Sequence, residues 1–237
     1  IITNTDAEVQ NPYFEHRSAN RAVYLVIAGD KGMCGSYNED LLRLADRTIQ
    51  EGRHDQVSVF TVGLMAYGHF AKLKMDPDVH YLHIAQNPNL PSARGIGLEL
   101  CQMYERDLFD EAHIVFTNMG KGRIIRPEAM RILPILPEDF QCEEGASDCL
   151  VELEYVPSEK AALNALVPQH VIGLVYSACV QAFASEQSAR MTAMDASTRN
   201  ADEMLAKLKM EHNRARQSAI TQELNEITSG ASSVLAQ

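Results

Sequence analysis

Apolar positions in the last third of the chain return every three or four residues. Met194, Thr198, Ala201, Leu205, Leu208, His212, Ala215 and Ala219 fall on alternating steps of four and three. After a one-residue slip, Ile220, Leu224, Ile227, Ala231 and Val234 carry the alternation onward. A three-four spacing kept this long predicts a coiled-coil seam, and the slip is the kind of discontinuity that unwinds a supercoil locally. Neither glycine nor proline falls between Gly173 and Gly230, and the run is rich in residues that lose little on entering a helix. Glu186 and Arg190, Asp195 and Arg199, and Glu203 and Lys207 stand four apart in the favourable order, each pair supporting a helix by about 0.2–0.5 kcal/mol. Such a run would be roughly 80 Å long, more than a small domain can cover. A shaft, a coiled coil or a helix borrowed by a partner is therefore expected, against the alternative of a long surface helix packed on its own domain. The seam is thin, with Ala, Thr and His where Leu or Ile would hold two strands firmly.

Ahead of this stretch the pattern changes period. Residues 1–20 are polar with a turn at Asn11-Pro12, and read as a tail or linker. Val23 to Ala28 is a continuous apolar run, expected of a strand buried on both faces. A helix is expected from about Tyr37, with Leu41, Leu44, Ala45 and Ile49 on one face. Val57–Val62 reads as a second strand, Leu64–Lys74 as a helix and Val79–Ile84 as a third strand. Gln86–Ser92 reads as a proline-rich loop, Gly95–Phe109 as a helix and Ala112–Thr117 as a fourth strand. Ile124–Leu136, cut by Pro127 and Pro134, suggests a less regular pair of edge strands. Pro157 and Ser158 with Glu159 supply a start for the last helix. Strand-helix alternation of this kind implies an α/β fold, an open and largely parallel sheet with helices on both faces. The expected divisions are 1–20, a globular domain over 21–157 and the long helix over 158–237.

Charge narrows the partners. The net charge is −11 over 237 residues. From Ser158 onward there are 7 Lys+Arg and 8 Asp+Glu, so the preceding residues carry a net −10. An acidic globular part argues against nucleic acid, which needs basic stripes. Five cysteines without regular spacing fit a reducing compartment better than a disulfide framework. Neither a bilayer-spanning apolar run nor a signal peptide is read.

Little local chemistry presents itself. The loop Gly29-Asp30-Lys31-Gly32-Met33-Cys34-Gly35 lies between a buried strand and a helix start, where such folds cradle phosphates. Its G-x-x-G-x-x-G spacing is neither the dinucleotide fingerprint nor a P-loop, so the glycines also read simply as a tight turn. His80 and His83 would point to opposite faces of a strand, against a metal pair. His16, His54, His69, His113 and His170 read as surface or core fillers. No nucleophile, base and orienter assemble from local spacing, and no cofactor or metal site is expected. Cys142 and Cys149 flank a polar loop in which two thiols could meet, or stand unrelated.

Two C-terminal segments carry a specific resemblance: Ser185-Glu-Gln-Ser-Ala-Arg190-Met-Thr-Ala-Met194, and Asn213-Arg-Ala-Arg-Gln-Ser-Ala-Ile-Thr-Gln-Glu223-Leu. With Asn11-Pro-Tyr-Phe, the Gly29–Asn38 loop and Leu133-Pro-Ile-Leu-Pro137, the chain resembles the gamma subunit family of the F-type ATP synthase over nearly its whole length. The resemblance implies a small Rossmann-like domain followed by a long C-terminal coiled-coil helix. It implies a non-catalytic central shaft turned by proton or ion flow, with alpha and beta subunits around it and the epsilon subunit and membrane c-ring at the globular domain. The chain would then be peripheral to the membrane, on the cytoplasmic face of a bacterial plasma membrane or its organelle equivalent. By position in the motifs, Arg190, Gln217, Thr221 and Glu223 would contact a beta-subunit loop, and Ile227, Val234 and Leu235 would sit in an upper bearing. Cys142 and Cys149 fall near the redox pair of chloroplast members, although the insertion around them looks shorter. The family's basic N-terminal helix is expected to pair with the seam, and the chain begins where that helix should have ended. Self-association or poor order of the C-terminal part is the expected consequence. The alternative is a small α/β nucleotide-binding enzyme or module oligomerised by its long helix.

Overall fold

The computed structural model describes residues 12–15, 17, 20–75, 77–81, 83–120, 124–136 and 159–235, with side chains described from 160 to 229 in the last range. The elements run β1 (Arg21–Ile27), α1 (Tyr37–Gly52), β2 (Gln56–Val62), α2 (Leu64–Lys72), β3 (Val79–Tyr81), α3 (Leu90–Glu105), β4 (Glu111–Met119), β5 (Ile125–Leu133) and α4 (Glu159–Leu235). The five strands form one sheet in the order β3-β2-β1-β4-β5. β3, β2, β1 and β4 pair in parallel, and β5 runs antiparallel along the edge of β4.

The continuous apolar character of β1 follows from its place in the centre. Val23, Leu25 and Ile27 join one core cluster with Ile96 and Leu100 of α3 and Val171 and Val175 of α4. Ala22, Tyr24 and Val26 turn to the other face, against Leu41 and Ala45 of α1 and Phe70 of α2. Strands covered on both sides have no polar face to show. Burial of each large side chain here contributes about 1.5–3 kcal/mol relative to exposure.

Three sequence expectations are corrected. α3 begins at Leu90 inside the expected loop, because Asn89 caps it by accepting from the Ser92 N–H at 2.9 Å and a proline fits its first turn. Ile124–Leu136 holds one strand rather than two: Pro127 sits opposite Thr117 on an edge strand, whose outer side needs no amide donor. β3 is only three residues long. The last helix also contains what the sequence reading did not find, an 18-residue window of mean hydropathy 1.4, long and apolar enough by composition to cross a bilayer. Part of that window is buried (39%), and Val167, Val171, Val175 and Ala178 of α4 lie in the core of the sheet.

The chain divides into two compact units, Ile1–Arg190 and Met191–Gln237. The first holds the sheet and the opening part of α4. The second is helix, and nearly every described side chain from Met191 to Ser229 is exposed.

Candidate functional site

Strand order fixes where a ligand would bind in such a sheet. β1 is followed by β2 on one side, whereas the chain returns from β3 to β4 on the other. A crevice therefore opens past the carboxyl ends of β1 and β4, the place where open α/β sheets hold their ligands. The Gly29–Gly35 loop leaves β1 at this point.

The loop is already engaged. The Gly29 N–H donates to Asn38 Oδ1 at 3.0 Å, and Asn38 Nδ2 donates to the Lys31 carbonyl at 3.3 Å and approaches Cys34 Sγ at 3.2 Å. Asp30 Oδ1 accepts from the Leu64 N–H at 3.0 Å, the first residue of α2. Gly63 makes this closeness possible, since at φ 93° a Cβ would fall 2.2 Å from the Ala28 carbonyl oxygen. The Gly29 amide is thus engaged by Asn38, and the Asp30 carboxylate by the start of α2.

α4 fills the rest of the crevice. Ser185 Oγ donates to the Thr117 carbonyl on β4 at 3.1 Å, and Tyr37 Oη donates to the Ala182 carbonyl at 3.0 Å; both bonds are buried. Burial, and then the Glu186 carboxylate, hold the Tyr37 hydroxyl well above its usual pKa, so it remains a protonated donor. The Glu186 carboxylate lies directly on Gly29, where a Cβ would meet its carboxyl atoms at 2.9–3.1 Å. Arg190, one turn on, donates to Glu186 Oε1 and reaches the Gly32 carbonyl at 3.5 Å. The Glu186–Arg190 pair thus occupies the space beside Gly29 and Gly32 where a phosphate would enter. The segment Ser185–Arg190 is the root by which α4 is locked into the sheet.

The residues singled out in the sequence separate accordingly. Arg190 belongs to this root, with its side chain only 22% exposed. Gln217, Thr221 and Glu223 lie on the exposed helix of the second unit. At 3.6 residues per turn Gln217 and Thr221 share a face, and Thr221 Oγ1 donates to the Gln217 carbonyl at 2.9 Å. Glu223 is about 160° around from Thr221, so Gln217 and Thr221 flank the stripe of Ile220, Leu224 and Ile227 on one side and Glu223 on the other. Ile227 is exposed. The helix runs through Val234 and Leu235, but their side chains, like Cys142 and Cys149, lie outside the described residues. Cys34, Cys101 and Cys179 are buried free thiols. Sequence reasoning missed Asn38, Tyr37 and Glu186 as the clamp on the loop. The available signal was polar residues at the start of α1 and in α4, in positions the apolar pattern could not explain.

Comparison with known proteins bears on the family and the fold. A family model described as ATP synthase matches residues 1–234. The chain is 37% identical to an ATP synthase gamma chain of Ruminiclostridium cellulolyticum, over 96% of this chain and 79% of that one. It is 37% identical to the ATP synthase gamma chain of Caldanaerobacter subterraneus, over 98% of this chain and 81% of that one. Among solved structures, a chain of the Euglena gracilis mitochondrial ATP synthase (OSCP/F1/c-ring) has the same fold, with a TM-score of 0.66 at 19% identity, covering 98% of this chain and 79% of that one.

Proposed function

The chain belongs to the ATP synthase family as a gamma chain, and from that premise we propose that it is the rotating central stalk coupling proton or ion flow to ATP synthesis or hydrolysis. The observation that carries this reading is the filled crevice. Where a sheet of this kind would bind a ligand, Glu186, Arg190, Ser185 and Tyr37 instead fasten the helix to the body. A locked helix root transmits torque without slipping, whereas a nucleotide site would need that space open. On this reading the chain is non-catalytic and bond chemistry resides in its partners.

The partners are those the family implies, and the exposed surfaces suit them. The helix, exposed from Met194 to Ile227 along its apolar stripe, turns inside a hexamer of alpha and beta subunits, and its small seam residues suit a shaft that rotates rather than adheres. The globular unit grips the epsilon subunit and the membrane c-ring. The protein is accordingly peripheral to the membrane, on the cytoplasmic face in a bacterium or the organelle equivalent. Gln217, Thr221 and Glu223 contact the beta subunit, Arg190 serves that contact and the root together, and Ile227, Val234 and Leu235 form the bearing.

The test compares two classes of variant in the assembled alpha-beta-gamma complex. Gln217→Ala and Glu223→Ala, on an exposed helix, should leave the melting temperature of the purified chain unchanged while lowering ATP turnover by the complex. Arg190→Ala should lower both, because Glu186 loses its partner in a buried setting, at a cost of about 2 kcal/mol. Unaltered turnover in the exposed-face variants, together with nucleotide binding by the isolated chain, would return the function to the glycine loop.

A further inference from the structure

A second cluster of side chains lies on the α1 face of the sheet, away from the helix root, and torque transmission makes no use of it. Glu111 and His113 are alternate residues of β4, so their side chains leave the same face. His113 Nε2 and Glu111 Oε2 are 3.0 Å apart. His54 reaches them from the turn between α1 and β2, and local structure brings it there. Arg53, at φ 50°, adopts the left-handed conformation that turns the chain back at the end of α1. Gly52 leaves room, since a Cβ would fall 2.5 Å from Tyr24 Oη and 2.7 Å from His54 Nε2. The buried Tyr24 ring then lies nearly parallel on His113 at 5.0 Å and tilted toward His54 at 6.0 Å. As a result a ring nitrogen of His54, one of His113 and a carboxylate oxygen of Glu111 all lie within 4.8 Å of one another. Read singly in the sequence, these histidines look like fillers; the fold makes them neighbours.

We propose that His54, Glu111 and His113 bind a divalent transition-metal ion of the Zn2+ type, with a fourth position left to water. Two imidazoles and one carboxylate suit zinc among the common ions. Ligand atoms about 2.0–2.1 Å from a tetrahedral zinc stand roughly 3.3 Å apart. The His113–Glu111 pair needs only to open by a few tenths of an ångström, and His54 to close in. The burden of movement falls on the residue able to bear it, because His54 is on a turn while the other two are fixed on a central strand. Arg131, opposite His113 across the β4–β5 pair, places positive charge beside the cluster. An ion held there would therefore rely on imidazole nitrogen more than on charge alone. A bound ion would tie the α1–β2 turn to β4 and stiffen the body. The inference does not rest on the rotary reading.

The test is a titration of the metal-free full chain with Co2+, followed by visible absorption, and then competition with Zn2+. One cobalt should bind per chain with the d–d bands of a four- or five-coordinate N/O site, and Zn2+ should displace it and raise the melting temperature. His54→Ala, on the half-exposed turn, should keep the far-UV spectrum and metal-free melting temperature of the parent. Its affinity should nevertheless fall by at least the roughly 10–100-fold that even a supporting residue of a metal site can cost. His113→Gln should lose the same bands, and His69→Ala, a histidine paired with Asp46 elsewhere, should keep them. No cobalt bands at stoichiometric concentrations, or equal affinity in the parent and His54→Ala, would overturn the proposal.

Discussion

At the scale of single residues, the glycine loop shows how one residue type serves opposite purposes. Between a strand and a helix, glycine admits either a ligand or another part of the chain. Gly29 is used the second way, with the Glu186 carboxyl atoms 2.9–3.1 Å from where a Cβ would stand. Gly29→Ala should therefore push the Glu186 carboxylate aside, at a modest cost of about 1 kcal/mol because that carboxylate is the far end of a flexible side chain. In a Glu186→Ala background, where the obstructing carboxylate is gone, most of that cost should vanish. A double-mutant cycle in urea measures this coupling directly. Additive effects would mean that Gly29 and Glu186 do not meet. The ion pair of Glu186 with Arg190 was visible in the sequence as a helix-surface pair. What its spacing could not reveal is that Glu186 is buried against a loop some 150 residues earlier in the chain.

Among the elements, those with strong periodicity were legible and those set by tertiary context were not. β1, α1, β2 and β4 could be read because a continuous apolar run or an amphipathic stripe is a local property. The start of α3 was lost to an apparent loop whose prolines belong to a helix cap, and β5 was split because an edge position tolerates a proline that a central strand would not. The cluster of His54, Glu111 and His113 joins a turn to a distant strand, so no spacing rule could find it. The packing of helices on both faces of the sheet has a consequence for pH. Burial pushes the thiols of Cys101 and Cys179 from 9.0 up to about 12, and the Tyr24 and Tyr104 hydroxyls from 10.0 up to about 12. The unfolded chain releases these protons at lower pH than the folded one, so it binds fewer protons across that window. Stability should thus be complete below the unfolded value of 9.0 and decline as pH rises toward about 12. Thermal melts under reducing conditions from neutral pH to about pH 11 should show a falling melting temperature above the thiol range. A flat profile would mean that the core admits the ionised forms.

For the whole molecule, the distribution of burial matches a division of labour. The first unit, Ile1–Arg190, holds the sheet and the root of α4, while the second, Met191–Gln237, presents an exposed helix with an apolar stripe and polar flanks. Such a stripe leaves Leu205, Leu208, Leu224 and Ile227 in water unless something covers them, and covering surfaces are what the alpha and beta subunits of a rotary enzyme would supply. Rotation is the central claim, and it can be observed. The chain, assembled with alpha and beta subunits fixed to a surface, would carry a probe on its globular unit while ATP is hydrolysed. The account predicts unidirectional stepping that stops when ATP is exhausted and falters in Glu223→Ala. A probe that stays still while the complex hydrolyses ATP at its full rate would contradict it.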